Sequence, residues 1–164
     1  MRRLDPAVAA ARIEAGLTVG VAAAGEIVAQ RAQAMAPVDT GRLARSIRRT
    51  EPTTRGPMRV SCLVGTNVEY AAAQEFGSGL RAEDESARHV IIIEPRYAKA
   101  LAFRWPDGPK DNPAYDHRSG LFFFRRVRHP GVPPHPYLRP ALASVRSEAA
   151  VTIMEAVAAA LRRG

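Results

Sequence analysis

The stretch Ala36-Pro37-Val38-Asp39-Thr40-Gly41-Arg42-Leu43-Ala44-Arg45-Ser46-Ile47 decides how the chain is divided. Pro37 disfavours helical geometry at Ala36 and ends any helix that precedes it. Asp39 or Thr40 can cap a short turn that follows, and Gly41 relaxes the backbone there. Leu43 and Ile47 are spaced to share one side of that turn. Upstream, Ile13, Leu17, Val21, Ala24, Val28, Ala32 and Met35 recur at spacings of three and four. Pro6 to Met35 therefore reads as one amphipathic helix, about 45 Å long at 1.5 Å per residue. Residues 1–36 are assigned to this N-terminal helix. Gly16, Gly20 and Gly25 each cost about 1 kcal/mol against alanine and mark places for a bend. A helix of this length on a small body implies packing against a partner chain as well.

Downstream, Arg48 to Thr54 reads as a strand, Arg55-Gly56-Pro57 as a turn, and Met58 to Gly65 as the returning strand of a hairpin. Cys62 alternates with Met58, Val60 and Val64, the position of a buried small hydrophobe. Tyr70 to Phe76 reads as a short helix stopped by Gly77-Ser78-Gly79. Leu80 to Arg88 is a charged loop. His89 to Glu94 is a buried strand by its Ile91-Ile92-Ile93 content. Ala100 to Trp105 is another strand. Leu121 to Arg128 is the next, with Phe122 and Phe124 toward the core. Residues 106–119 hold three prolines and several charges. They read as a long mobile loop, and removing Asp107 to Arg118 is expected to leave the fold intact. Pro130 to Pro140 is a stiff extended arm. Residues 139–163 form a second amphipathic helix, with Leu142, Val145, Ala149, Ile153, Ala156, Val157, Ala160 and Leu161 in its stripe. The fold class is α+β: a long N-terminal helix and a C-terminal helix packed on an antiparallel β-sheet, with a long loop insertion, in a single domain 1–164.

The net charge is +8, and the basic residues are almost all arginine. That balance suits an acidic partner, yet arginine with abundant alanine also follows from GC-rich coding, so charge alone names no function. Alanine buries little area, and a core built from it suits a chain that gains stability from neighbours. One cysteine excludes an internal disulfide and a cysteine-cluster zinc site. The chain reads as assembled in a reducing compartment. Arg2 and Arg3 before the uncharged Ala15 to Gly25 imitate a signal peptide, but Asp5, Arg12 and Glu14 intervene, and secretion is not expected. No run approaches the ~20 apolar residues of a bilayer span, so no membrane association is expected.

Few residues suggest chemistry. Asp39-Thr40-Gly41 is the tripeptide of aspartic proteases, which need two such carboxylates sharing a proton. Here Ala36-Pro37 breaks the preceding strand and Arg42 places a cation beside the carboxylate, so a capped turn is the simpler reading. His89, His117, His129 and His135 lack metal-ligand spacing. Glu69 and Glu75 flank a short helix without an acid partner, as solvated groups or as salt bridges between subunits. No catalytic residue, metal site or cofactor is assigned. Arg118, Arg125, Arg126, Arg128 and Arg139 form the densest basic run. Because Phe122 and Phe124 turn toward the core, this run reads as phosphate-neutralising and sequence-independent.

Three segments together resemble one family. The first is Ala36 to Ile47, with Pro37, Asp39, Thr40, Gly41, Leu43, Ser46 and Ile47. The second is Val64 to Gly77, with Gly65, Tyr70, Glu75, Phe76 and Gly77. The third comprises Val127 to Gly131, with His129, Pro130 and Gly131, and Pro136 to Ala141, with Pro136, Leu138 and Pro140. The set is similar to the tail-completion or neck proteins of long-tailed bacteriophages, also described as minor tail or head–tail joining proteins. The resemblance runs from about Ile27 to the end. It implies a structural virion protein, not an enzyme. Such a protein forms a cyclic homo-oligomer of six or twelve copies at the head–tail junction, assembled in the bacterial cytoplasm. Its partners would be further copies of itself, the connector, and tail-terminator or tail-tube rings, with non-specific DNA contact in the lumen. The alternatives are a tail terminator capping the tube, a sequence-independent DNA-binding protein, and an aspartic protease.

Overall fold

In the computed structural model, which describes residues 5–163, helix α1 runs unbroken over Pro6–Met35. Asp5 caps it by accepting the Ala7 N–H at 2.8 Å, and Pro6 supplies the preset first position. Part of the 1–36 assignment, residues 1–4 with Arg2 and Arg3, lies outside the described residues. The helix is not interrupted at Gly16, Gly20 or Gly25. Gly16 and Gly20 instead form a notch for the C-terminal helix α4 (Leu138–Arg162). A Cβ on Gly16 would stand 2.7 Å from Val157 Cα, and one on Gly20 2.8 Å from Ile153 Cα. Rising numbers on α1 meet falling numbers on α4, so the two helices are antiparallel.

This close approach rotates the buried stripe of α1. Gly16, Gly20, Ala24, Val28, Ala29 and Ala32 are buried, while Ile13, Leu17 and Val21 are half-buried and Met35 is exposed. On α4, Ala141 and Val145 are buried, but Leu142 and Leu161 from the expected stripe are exposed. By length and composition alone α1 is apolar enough to cross a membrane, a property that scanning for uninterrupted apolar runs missed. Its small-residue face is occupied by α4.

After the Pro37 stop, the short helix α2 (Arg42–Ser46) starts from Gly41 at φ +73° and buries Leu43 and Ile47. The hairpin follows along α1. It forms two antiparallel pairs: β1 (Arg48–Arg49) with β4 (Val64–Gly65), and β2 (Thr53–Thr54) with β3 (Val60–Ser61). The register slips by one residue between them, because Thr50-Glu51-Pro52 stands opposite Cys62-Leu63. Pro52 has no N–H to give the ladder, so a bulge is the natural outcome. Gln33 Nε2 donates to Ile47 O at 3.0 Å near one end of the hairpin. Met58 N donates to Glu14 at 3.3 Å at the other. Cys62 is half-buried, at Gly25 of α1.

By Cα proximity the chain divides into two compact units, residues 1–75 with 135–164 and residues 76–134. The first has a core of Ala29, Ala32, Ala36, Ala71 and Ala141 around Leu43, Ile47, Val68 and Tyr137. The second unit holds β5 (Ile91–Ile93) paired with β9 (Val127–His129), and β6 (Leu101–Phe103) paired with β8 (Leu121–Phe124), which pairs in turn with β7 (Tyr115–Asp116). The α+β class holds, with its antiparallel strands divided among four small sheets. Two details differ from the sequence reading. Ile92 and Ile93 are exposed: as neighbours in the strand they point to opposite faces of the two-stranded β5–β9 sheet, and neither is covered among the described residues. The 106–119 stretch contains β7, and Gly108 is buried against Trp105 and Phe122. Deleting Asp107 to Arg118 would therefore remove part of this unit's small core rather than spare the fold.

The glycine notch gives a stability test. Leucine at an exposed helical site gains helix propensity over glycine by somewhat under 1 kcal/mol. At Gly20 the new side chain meets the backbone of α4, and overpacking costs about 1–3 kcal/mol. Gly20→Leu should therefore lower stability in urea unfolding, while Ala23→Leu on the exposed face should change it little. Equal midpoints for the two variants would contradict the notch.

Candidate functional site

The short helix α3 (Ala71–Phe76) ends on the motif Glu75-Phe76-Gly77. Glu75 is 2% exposed, the one buried charged residue among the described residues. Its carboxylate accepts the backbone N–H groups of Tyr137 at 2.8 Å, Leu138 at 2.9 Å and Arg139 at 3.1 Å. It also accepts Arg139 Nε at 3.0 Å. These donors are the first turn of α4. Tyr137, at the N-cap position, offers no side-chain cap, and Pro140 has no N–H to satisfy. Ala141 N then begins the helical ladder by donating to Tyr137 O. A residue 62 positions upstream thus supplies the capping acceptor that α4 lacks locally. A carboxylate at a helix N-terminus is further favoured by the aligned peptide dipoles.

Burial by itself raises the Glu75 pKa. The hydrogen bonds from Tyr137, Leu138 and Arg139 outweigh it, and the carboxyl sits below its ordinary value. Tyr137 is fully buried, and its hydroxyl has no hydrogen-bond partner among the described residues. Burial, helped by the charges of Glu75 and Tyr70, pushes that phenol up.

The three motif segments have distinct placements. Leu43 and Ile47 lie in the main core beside Tyr137 and Ala141. Ser46 Oγ bonds Leu43 O at 2.7 Å and Thr66 Oγ1 at 2.6 Å, and Gly65 pairs with Arg48. Pro37, Asp39 and Thr40 are exposed, and with Gly41 and Tyr70 they line a surface pocket of about 350 Å³. Phe76 is half exposed. Gly77 turns the chain at φ +73°. Gly131, at φ +90°, lies against the Ser78 carbonyl with no room for a Cβ. Pro130 O accepts from Leu80 N at 2.8 Å, and His129 Nδ1 accepts from Gly131 N at 2.9 Å. Pro136 is exposed, Leu138 and Pro140 half-buried in and before the first turn of α4.

The remaining candidates have the following placements. Asp39 sits in an exposed bend, not at the end of a strand. Among the described residues no group of three or more His, Cys, Asp or Glu side chains is placed to hold a metal ion. The basic run separates: Arg139 belongs to the Glu75 clasp, and Arg126 pairs with Glu94 at 2.6 Å. Glu75 is neither solvated nor a subunit bridge. The sequence reading missed Tyr137 and placed Arg139 in the basic run instead of in this clasp. A helix start with tyrosine in the N-cap position and proline two residues inside was a legible sign that a distant acceptor is required.

Residues 9–77 match the family model described as "Bacteriophage HK97-gp10, putative tail-component". The match covers less than half of the chain and includes the first two motif segments, so this part is related to phage tail components. No curated protein and no solved structure matches the chain.

Two substitutions test the clasp. Glu75→Gln keeps the shape but sets an amide donor among backbone donors, and should cost about 1–3 kcal/mol at neutral pH. Because the folded pKa is lowered, the contribution of Glu75 is present above the ordinary glutamate value. It is lost as pH falls through the lower folded value. Wild-type protein should therefore show an acid-unfolding limb that is reduced in Glu75→Gln, and parallel pH profiles would contradict the assignment. Tyr137→Phe removes an unsatisfied buried hydroxyl. It should leave stability unchanged or raise it by about 1 kcal/mol in thermal unfolding.

Proposed function

We propose that the chain is a structural protein of a tailed phage particle that associates with copies of itself into a ring at the head–tail junction, completing the tail. The observation that carries this reading is surface area. The chain exposes 11896 Å², whereas two compact bodies of the sizes of its two units, counted separately, expose about 9,500 Å² together. Exposed apolar side chains are spread over it, among them Val19, Leu63, Tyr97, Leu142 and Met154. The area beyond what compact units of these sizes expose is surface that neighbouring copies can cover.

The relation of residues 9–77 to a tail-component family supports a place in the particle. The segments that resemble neck proteins support the junction over other tail positions. In a cyclic ring each chain offers two different faces to its neighbours, and the exposed outer sides of α1 and α4 and the β5 edge supply such faces.

Particles assembled without this chain should contain filled heads and finished tails of normal length that are not joined. Electron microscopy of the lysate reads this directly. Overlong tails would assign the chain to the tube terminus instead, and normal joined particles would remove it from assembly altogether. Val19→Glu together with Met154→Glu, both on exposed positions, should leave monomer unfolding within about 0.5 kcal/mol. The same pair should reduce complementation of joining.

A further inference from the structure

In the second unit, β8 bends at Arg125-Arg126 into β9, and a groove of about 470 Å³ opens there. Its floor is aromatic. Phe103 stacks on Phe124 with ring centres 5.7 Å apart, and Trp105 tilts against Phe122 at 5.4 Å. Phe122 is buried, but Phe103 and Trp105 remain 36% and 45% exposed. Alternation turns Phe122 and Phe124 toward the core and offers no stacking surface there, but Phe103 at the end of β6 and Trp105 just after it stand at the surface.

The rim is cationic. Arg104, Arg126, Arg128 and His129 line the groove. Arg126 is held by Glu94, whereas Arg104 and Arg128 form no ion pair among the described residues. His129 accepts at Nδ1 from Gly131 N, which leaves its Nε2 to carry the proton and donate.

We infer that this groove binds a single strand of nucleic acid, without sequence preference, by stacking bases on Phe103 and Trp105 and neutralising phosphates with Arg104 and Arg128. Two chemistries select this occupant. The arginines require an anion, and an acidic protein face would satisfy them. The exposed flat rings require π-faces, which an unpaired strand presents at every nucleotide and a duplex conceals in its stack. The inference rests on the second unit alone and stands or falls separately from the ring proposal.

The chain contains one tryptophan, so Trp105 reports on the groove directly. Titrating the full-length protein with oligothymidylate at low salt should quench its fluorescence saturably. Raising salt should weaken binding, and Arg104→Ala with Arg128→Ala should flatten the slope of log K against log salt by about 1.4. Phe103→Leu should weaken binding roughly tenfold. The three substituted positions are exposed, and circular dichroism checks that each variant is folded. Four outcomes overturn the proposal. These are no quenching, binding unchanged in the double variant, duplex binding as tight as single strand, and equal competition by polyglutamate, which would identify an acidic protein face as the occupant.

Discussion

A buried carboxylate at the start of α4 organises the structure. Left alone, Glu75 would be an uncompensated charge in a low-dielectric setting, and the first turn of α4 would hold unsatisfied donors. Together they cancel: three backbone N–H groups and one guanidinium N–H converge on two oxygens. The arrangement is closed, since Pro140 removes the remaining donor. It also fixes the chain path. The second unit leaves the first after Glu75 and returns at His135, whose N–H bonds Gln74 O at 2.6 Å. Both ends of that insertion are pinned at the same place, so the entropy of closing the long intervening loop is met by strong, charge-assisted bonds.

The same economy of local signals explains what was legible. The C-terminal end of α1 was visible because Pro37 acts on the residue before it. The hairpin was visible from alternation and its Gly56-Pro57 turn. What escaped was non-local or depended on neighbours. The role of Glu75 requires a partner 62 residues away, which no periodicity reveals. The bulge opposite Cys62 depends on how two strands share one missing donor. Gly108 looked like loop punctuation, yet it is the place where Trp105 and Phe122 come too close for any side chain. The three Ile91 to Ile93 side chains were read as buried from their type, but burial needs a covering element on each face of the sheet, and among the described residues Ile92 and Ile93 have none.

The glycines of α1 show how a local cost becomes a tertiary device. In an isolated helix Gly16 and Gly20 are liabilities of about 1 kcal/mol each. Against α4 they permit backbone contact, and the seam follows the small residues, not the large ones. That is why the apolar stripe read from Ile13, Leu17 and Val21 is offset from the buried one. Large side chains displaced from the seam lie at its flanks. They line a groove of about 490 Å³ with Val21 and Val28 on one side and Leu142 and Ile153 on the other.

This displacement connects the core to the proposed assembly. A core of alanine and glycine brings helices close but removes little apolar area per residue from water, so hydrophobic stabilisation is small where packing is tightest. The larger side chains that could supply it, such as Leu142, Val151 and Met154, lie outside. The excess over two compact units is about 2,400 Å² per chain; divided between two neighbours in a ring and matched by theirs, it gives about 2,400 Å² per contact, near the lower end of obligate interfaces, which run from about 2,000 to 5,000 Å². In the proposed ring, a chain built this way would gain its remaining stability from association, and a ring that holds its protomers weakly before docking and firmly afterwards would couple folding stability to the order of assembly.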